Sequence, residues 1–476
     1  MEWTPTVGYE TEGHWFESSR ARSKEVGKRA GKVGKHSSIG VVLTLLGRGR
    51  SSAGRAGVLA LVTVSMGGML AIGANASFAD PPPSVRPAGG ALPERTQVKG
   101  RHLPKRTRAK VRRVIRRFKQ TNRTPGVLID IWGREGRYVR AKGVADLATG
   151  ERLERRMQFK LASQTKGFTA NLILQLVGEG KVSLGDHISD WIAGVPNGDR
   201  ITIRQLLNHT SGLADGFSLP VVLEKLETGC TPEFLLTAEA EAPPIAPPGA
   251  EWHYSNYGYN LLGRVVELAT GQDLSTAIQE RIAEPLGLRR TFLPTSTTDN
   301  GLSPPFARGY GNTYPTRLPV LGDDATDLPA SCLWAHGGMV STLADMRVFT
   351  RAQATGELLK PSVRKQVTRN ALPFEFPGNY DGPGRWRYGL GIYLSGGFIG
   401  GQGSMPGYES TAMYSPSRHV GFQVVSMKQA NAVTPPPMFQ ALAMTVFGRR
   451  LGFGLSLAEA LEPNCFGVGT PPNCAP

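Results

Sequence analysis

The chain has 476 residues and a formal charge of +17, with 59 glycines and 35 prolines in an otherwise ordinary globular composition. That length supports a large buried core and two or three domains. Much of the positive charge lies in the first 125 residues and no nucleic-acid-binding fold accompanies it, which argues against a nucleic-acid partner.

Residues Ala56 to Gly73 form an apolar run behind Arg48, Arg50 and Arg55, followed by the small-residue patterns Ala74-Asn75-Ala76 and Ser77-Phe78-Ala79. Residues 1–79 read as a basic leader and signal peptide, so the expected location is secreted or cell-wall associated. The alternative is an uncleaved N-terminal membrane anchor, since the apolar run is just long enough to span a bilayer. Residues 80–104, opening on Asp80-Pro81-Pro82-Pro83, form a Pro-rich linker. The body is expected over 105–450, and 451–476 form a C-terminal tail.

Within Arg106 to Arg123, Val111, Val114, Ile115 and Phe118 recur at helical spacing among arginines and lysines. This predicts an amphipathic helix lying on the domain with a solvated basic side. The sharper alternative is attraction to an anionic cell-wall polymer or lipid head groups. Gly126 to Trp132 and Tyr138 to Ala141 predict two strands joined by a turn at Gly133 to Gly136. A helix follows from about Ser163, and helices and loops dominate a region of about 172–343. Strand signals return at Tyr388 to Leu394, Ser410 to Tyr414 and Val420 to Val425, and a helix over Met438 to Phe447 closes the body. Strands at both ends with helices between imply an α+β fold, one sheet closed by the two termini. Of the four cysteines, Cys465 and Cys474 are expected to pair, leaving Cys230 and Cys332 as a possible second bridge.

Ser163-Gln164-Thr165-Lys166 puts a hydroxyl and an amine one helical turn apart, where the amine can take the proton of the nucleophile. Tyr254-Ser255-Asn256 offers a proton shuttle and a hydrogen-bonding amide from a second segment. Both patterns recur, at Ser362 to Lys365 and at Tyr310 to Asn312. Only Ser163 leads into a buried apolar run, Ala170 to Val177, whereas Ser362 sits among Lys360, Arg364, Lys365 and Arg369 at an exposed helix start. No G-x-S-x-G elbow surrounds a serine, and no H-E-x-x-H or Cys-x-x-Cys motif suggests a metal; no cofactor is implied.

Two further segments make the pattern specific. Leu206-Leu207-Asn208-His209-Thr210-Ser211-Gly212-Leu213 resembles the L-L-x-H-T-S-G-L signature of the serine β-lactamase-related family. Pro247-Pro248-Gly249 followed by Trp252 to Gly258 resembles the second box of that family with its usual lead-in. The family groups class C β-lactamases, D-alanyl-D-alanine carboxypeptidases, D-amino acid peptidases and carboxylesterases. The resemblance runs from about Thr124 to about Gly448 and implies a β-lactamase/transpeptidase-like fold, an antiparallel sheet flanked by helices with an inserted, mostly helical domain. It implies Ser163 as nucleophile, Lys166 as base, Tyr254 as proton relay, and Asn256 as a hydrogen-bonding partner of the substrate amide. His209 is implied to be structural, while His253 and His336 receive no role.

The third box departs from the family. Counting back from Gly407-Tyr408 lands on Gly401-Gln402-Gly403, where the family carries Lys or His first. Gln402, Gly403 and Ser404 are the expected substrate-binding positions, with the Ser163 and Ser404 N–H groups as the oxyanion hole. Arg385 and Arg387 are the candidate substitutes for the missing cation. The expected activity is that of an exported serine hydrolase acting through an acyl-enzyme, D-alanyl-D-alanine carboxypeptidase-like on peptidoglycan peptides. The alternatives are a carboxylesterase acting on small esters, a β-lactamase, and a non-catalytic wall-binding protein with the same fold.

Overall fold

The four apolar residues spaced along the basic N-terminal segment, Val111, Val114, Ile115 and Phe118, are all buried on one side of a helix, Lys105–Asn122. The structure, a computed structural model, describes residues 101–311, 324–374, 386–429 and 435–448, together with 451, 453 and 457. The leader, most of the linker and tail, Arg385, Cys465 and Cys474 lie outside the described residues. The Lys105–Asn122 helix packs against the closing helix, Pro435–Phe447, and both cover one face of the sheet. Burial of each such aliphatic or aromatic side chain contributes about 1.5–3 kcal/mol, which outweighs the poor company of so many cations.

The sheet is antiparallel and eight-stranded. Its strands are β1 (Gly126–Gly133), β2 (Tyr138–Gly143), then β5 (Leu372–Pro373), β6 (Arg387–Tyr388), β7 (Tyr393–Ser395), β8 (Phe398–Met405), β9 (Tyr408–Ser415) and β10 (Val420–Ser426), ordered β2-β1-β10-β9-β8-β7-β6-β5. The N-terminal hairpin therefore joins the C-terminal strands through the β1–β10 pair, Val127 opposite Ser426 and Ile131 opposite Phe422. Val127, Ile129 and Ile131 point at the terminal helices, while Leu128 joins the larger core beneath the opposite face. Asp130, also on that opposite side, is buried and meets Arg347 of the Leu343–Thr355 helix at 3.4 Å. Both faces of the central strands are thus covered, as expected for an α+β arrangement with the two chain ends closing one sheet.

Between β3 (Phe159–Lys160) and its partner β4 (Val340–Ser341), helices dominate. Cys230 and Cys332 form a disulfide inside that region, across 102 residues of sequence. One expectation is corrected. The single strand expected over Tyr388 to Leu394 is a hairpin, broken at Gly389 to Gly391. Gly391 has φ +75°, and a Cβ there would lie 2.2 Å from the Ala170 methyl, so the chain turns where it meets the helix Thr165–Glu179. The glycine-rich run Gly397 to Gly403 enters strand β8 at Phe398, so the third-box residues lie within that strand.

Candidate active site

Strand β3 delivers the chain to a short 3-10 turn, Ala162–Gln164, which runs into the helix Thr165–Glu179. Leu172, Ile173, Leu174 and Leu176 are all buried, so this helix goes through the core, and Gly180 ends it in the left-handed region with φ 78°. Ala162 has φ +50°, a conformation costing a non-glycine residue roughly 1–2 kcal/mol, and it sets the entry angle of Ser163. Gln164 pins the turn to the sheet by donating from Nε2 to Ser410 Oγ of β9 at 2.5 Å. The three-residue spacing then places Lys166 Nζ 3.3 Å from Ser163 Oγ.

Lys166 is buried, and burial lowers its pKa from the ordinary 10.5 to about 7 against the opposing pull of Asp215 and Glu239. Its amine also donates to Asn256 Oδ1 at 2.5 Å and to the His336 carbonyl at 3.1 Å. Both of those oxygens accept only, so they hold two N–H bonds in every protonation state. In the neutral amine the remaining tetrahedral direction, toward Ser163, is therefore the lone pair. That is the geometry of a general base aimed at a hydroxyl.

Tyr254 completes the cluster by donating from its hydroxyl to Ser163 Oγ at 2.8 Å. Burial, and next the neighbouring Tyr393, hold its pKa well above the ordinary 10, so the phenol keeps its proton at neutral pH. Lys166 Nζ also lies 4.6 Å from the centre of the Tyr254 ring. Ser255 caps the following helix, Asn256–Thr270, by accepting from the Gly258 N–H, which fixes the residues on either side of it. His209, itself at φ +60°, braces this segment: its Nδ1 accepts from the Ser255 N–H at 3.2 Å, and its ring lies 4.4 Å from that of Tyr254. Burial, reinforced by Lys166, keeps this imidazole neutral, in keeping with a structural role.

Asn256 is buried and doubly engaged, its Oδ1 on Lys166 and its Nδ2 donating to Asp215 Oδ1 at 2.8 Å. The expected substrate contact of Asn256 thus has at most one amide hydrogen left to use, because the site spends the rest on holding Lys166. Asp215 also accepts from the Asn256 N–H and caps the short turn Gly216–Ser218. Glu239 lies deeper, accepting from Asn260 Nδ2 at 2.8 Å, and burial raises its pKa to about 8.

Strand β8 runs directly against the nucleophile turn. A Cβ at Gly403 would lie 2.2 Å from the Leu161 carbonyl oxygen and 3.1 Å from the Ser163 nitrogen, so only glycine permits this approach. Gly401 also faces the turn, with Gln164 3.5 Å from its would-be Cβ. Gln402 alternates to the other side, and its buried Nε2 has no hydrogen-bond partner among the described residues. Ser404 is exposed at its side chain, which accepts from Gln429 Nε2 at 3.4 Å.

The structure therefore brings Ser163, Lys166, Tyr254 and Asn256 to one place with Gly401 and Gly403 of β8 against the Ser163 turn, while the Gln402 side chain lies on the other side of that strand and the Ser404 side chain is exposed beside Gln429. It leaves Ser362 exposed on the Pro361–Arg369 helix, and the Tyr310 hydroxyl accepts from the Leu147 N–H. Arg387 does not replace the missing cation: its guanidinium donates to the Ala371 carbonyl. Among the described residues, Lys166 is the only cation in contact with Ser163 or Tyr254. Sequence reasoning missed Asp215, the His336 carbonyl and Tyr393, none of which belongs to a motif with a fixed spacing.

Comparison with known proteins places the chain in a family. Penicillin-binding protein 4 of Amycolatopsis lactamdurans is 32% identical over 245 residues, covering 48% of this chain and 58% of that protein. Esterase EstB of Burkholderia gladioli is 32% identical over 231 residues, covering 44% and 55%. The chain thus spans little more than half the length of these two curated relatives. Among solved structures, a D-stereospecific amidohydrolase from Streptomyces sp. aligns with a TM-score of 0.58 at 27% identity, covering 68% of this chain and 95% of that one. The D-amino acid amidase from Ochrobactrum anthropi SV3, complexed with D-phenylalanine, aligns with a TM-score of 0.61 at 25% identity, covering 72% and 98%. The Beta-lactamase family model matches residues 111–445, well over half of the sequence, and the chain belongs to the Beta-lactamase family.

Proposed function

We propose that the chain is a serine hydrolase that forms an acyl-enzyme on Ser163 and transfers the acyl group to water. One observation carries this reading: Ser163 Oγ lies within hydrogen-bond reach of a buried amine at 3.3 Å and a protonated phenol at 2.8 Å. Lys166 takes the proton as Ser163 Oγ bonds to the carbonyl carbon. The Ser163 and Ser404 N–H groups receive the oxyanion, and Tyr254 protonates the departing oxygen or nitrogen while the Lys166 ammonium makes good its loss. Water then attacks the ester carbon, gives its proton to the Lys166–Tyr254 pair, and Ser163 leaves with a proton restored.

The preferred substrate is an ester or amide without a carboxylate beside the scissile bond, because position 401 carries no cation and Arg387 is turned away. A D-alanyl-D-alanine carboxypeptidase is the second reading, favoured by the export-type leader and by the similarity to penicillin-binding protein 4. Export to the cell wall belongs to both readings, with the basic Lys105–Asn122 helix as the surface for an anionic wall polymer. Purified protein incubated with p-nitrophenyl butyrate, an acyl-D-Ala-D-Ala peptide and benzylpenicillin separates them. Nitrophenol release without D-Ala release or a lasting penicillin adduct is expected. D-Ala release with a persistent adduct on Ser163 would establish the carboxypeptidase instead.

Two variants probe the third box. Gly401→Lys has room for its Cβ, and a charge-assisted hydrogen bond to a carboxylate should raise kcat/KM for the acyl-D-Ala-D-Ala peptide by about tenfold or more. Turnover of p-nitrophenyl butyrate should barely change. In Gly403→Ala the new methyl would collide with the Leu161 carbonyl and force β8 off the turn. Ester turnover should fall by roughly 10²–10³, the usual loss for one oxyanion donor, with Gly401→Ala as the harmless control.

A further inference from the structure

Asp215 ends a loop that starts at His209 and is fastened along the segment carrying Tyr254 and Asn256. The His253 N–H donates to the His209 carbonyl at 2.8 Å, and Ser255 Oγ donates to the Ala214 carbonyl at 2.9 Å. Asn256 gives both its backbone N–H and its Nδ2 to one oxygen, Asp215 Oδ1, at 3.3 and 2.8 Å. The Phe217 N–H reaches the same oxygen at 3.4 Å. A carboxylate only accepts, so it takes the NH₂ end of the Asn256 amide. The oxygen end is thereby left facing Lys166 Nζ at 2.5 Å.

The opposite orientation would disable the base. A flipped amide would aim its hydrogens at Lys166, and the neutral amine would accept one of them on its lone pair. That lone pair would then be lost to Ser163. We propose that Asp215 is a positioning residue for the base: by holding the Asn256 amide with its oxygen toward Lys166, it keeps the lone pair of the amine for Ser163. The inference rests on the acyl-enzyme reading above. The charge of Asp215 acts in the same sense. Burial opposes the ammonium that forms when Ser163 gives up its proton, and most groups around Lys166 offer it no charge. The His209 and His336 imidazoles are held neutral by burial, and the Tyr254 and Tyr259 phenols keep their protons. Glu239, pushed up to about 8 by burial, is protonated near pH 7 as well. Asp215 is then the remaining anion acting on Lys166 among the described residues.

The test is the pH profile of kcat/KM for p-nitrophenyl butyrate in Asp215→Ala and Asp215→Asn. Above pH 8, Asp215→Ala frees the amide and should lose about tenfold or more, the size of one hydrogen bond to a charged group. In Asp215→Asn the Asn256 and Phe217 N–H groups keep an acceptor oxygen at the same spot, so most of that rate should return. Both variants lack the charge, so the acid limb, expected at about pH 7 in wild type, should move to lower pH in each. A residue that merely caps the Gly216–Ser218 turn would slow Asp215→Ala without moving the limb. A limb that stays in place or rises overturns the proposal, and so does an Asp215→Asn protein as slow as Asp215→Ala. If Asp215→Ala does not fold, the limb of Asp215→Asn decides alone. Ester turnover that survives in Ser163→Ala would instead bring down the acyl-enzyme reading first, and Asp215 with it.

Discussion

Ser163→Ala should abolish covalent labelling by a fluorophosphonate and reduce ester turnover by about 10³-fold or more, since no other group can carry the acyl intermediate. Ser362→Ala should leave both within about twofold, the ordinary range for a surface substitution. The contrast is informative because the two serines share the same local pattern, with lysine three residues on. Ser163 stands at the N-terminal end of a buried helix, with Tyr254 at 2.8 Å and Lys166 at 3.3 Å, and β8 against its backbone nitrogen. Ser362 is exposed on a helix whose charged neighbours face solvent. Intact mass before and after labelling gives the answer directly. Labelling that survives in Ser163→Ala and vanishes in Ser362→Ala would reverse the assignment.

Lys166→Met should cost roughly 10²–10⁴ in kcat, the usual worth of a general base, while the protein folds as well as before or better. The activity of the wild type should also fall tenfold per pH unit below about 7, because the protonated amine has no lone pair for Ser163. Lys160 complicates a simple pH profile. It is equally buried, its pKa is also lowered to about 7 by burial, and its Nζ donates to the Thr326 and Leu328 carbonyls instead of the site. The stability of Lys166→Met distinguishes the two. A lysine whose folded pKa lies below its unfolded value destabilises fully below about pH 7, and that penalty disappears as pH rises toward 10.5. Methionine removes the penalty, at the cost of leaving Asn256 Oδ1 and the His336 carbonyl without their donor, about 1–3 kcal/mol each. The stability advantage of the variant over wild type should therefore grow as pH is lowered from 10.5 to 7, measured by denaturant titration. Glu239, pushed up to about 8 by burial, works in the opposite direction; the variant removes the Lys166 charge that draws it down, so its contribution cancels only in part. A difference that does not change with pH would mean that Lys166 is charged throughout and is not the base.

Much of the architecture follows from periodicity. Apolar residues at helical spacing in Lys105–Asn122 report which side of that helix is buried, and the nearly continuous apolar run of β1 reports a strand covered on both faces. The hairpin at Gly389 to Gly391 escaped that logic. Tyr388, Leu390 and Ile392 are apolar enough to read as one strand, and the reason they do not form one is the Ala170 methyl some 220 residues earlier in the chain. The missing cation was legible at once as an absence.

The sequence alone therefore determined the family and the choice of Ser163 as the proposed nucleophile with Lys166 and Tyr254, because Ser163 and Lys166 are placed by a single helical turn and the boxes around Tyr254 and His209 have local spacing. Only the tertiary structure decided the protonation and orientation of those groups. The depressed pKa of Lys166 comes from burial, and its direction comes from Asn256 and His336, 90 and 170 residues away. The engagement of Asn256 by Asp215 and the turning of Arg387 onto Ala371 are likewise contacts between distant segments. Local sequence fixes which side chain is offered and on which face of its own element. Desolvation and hydrogen-bond partners depend on what the rest of the chain packs against it, and these decide what the side chain can do.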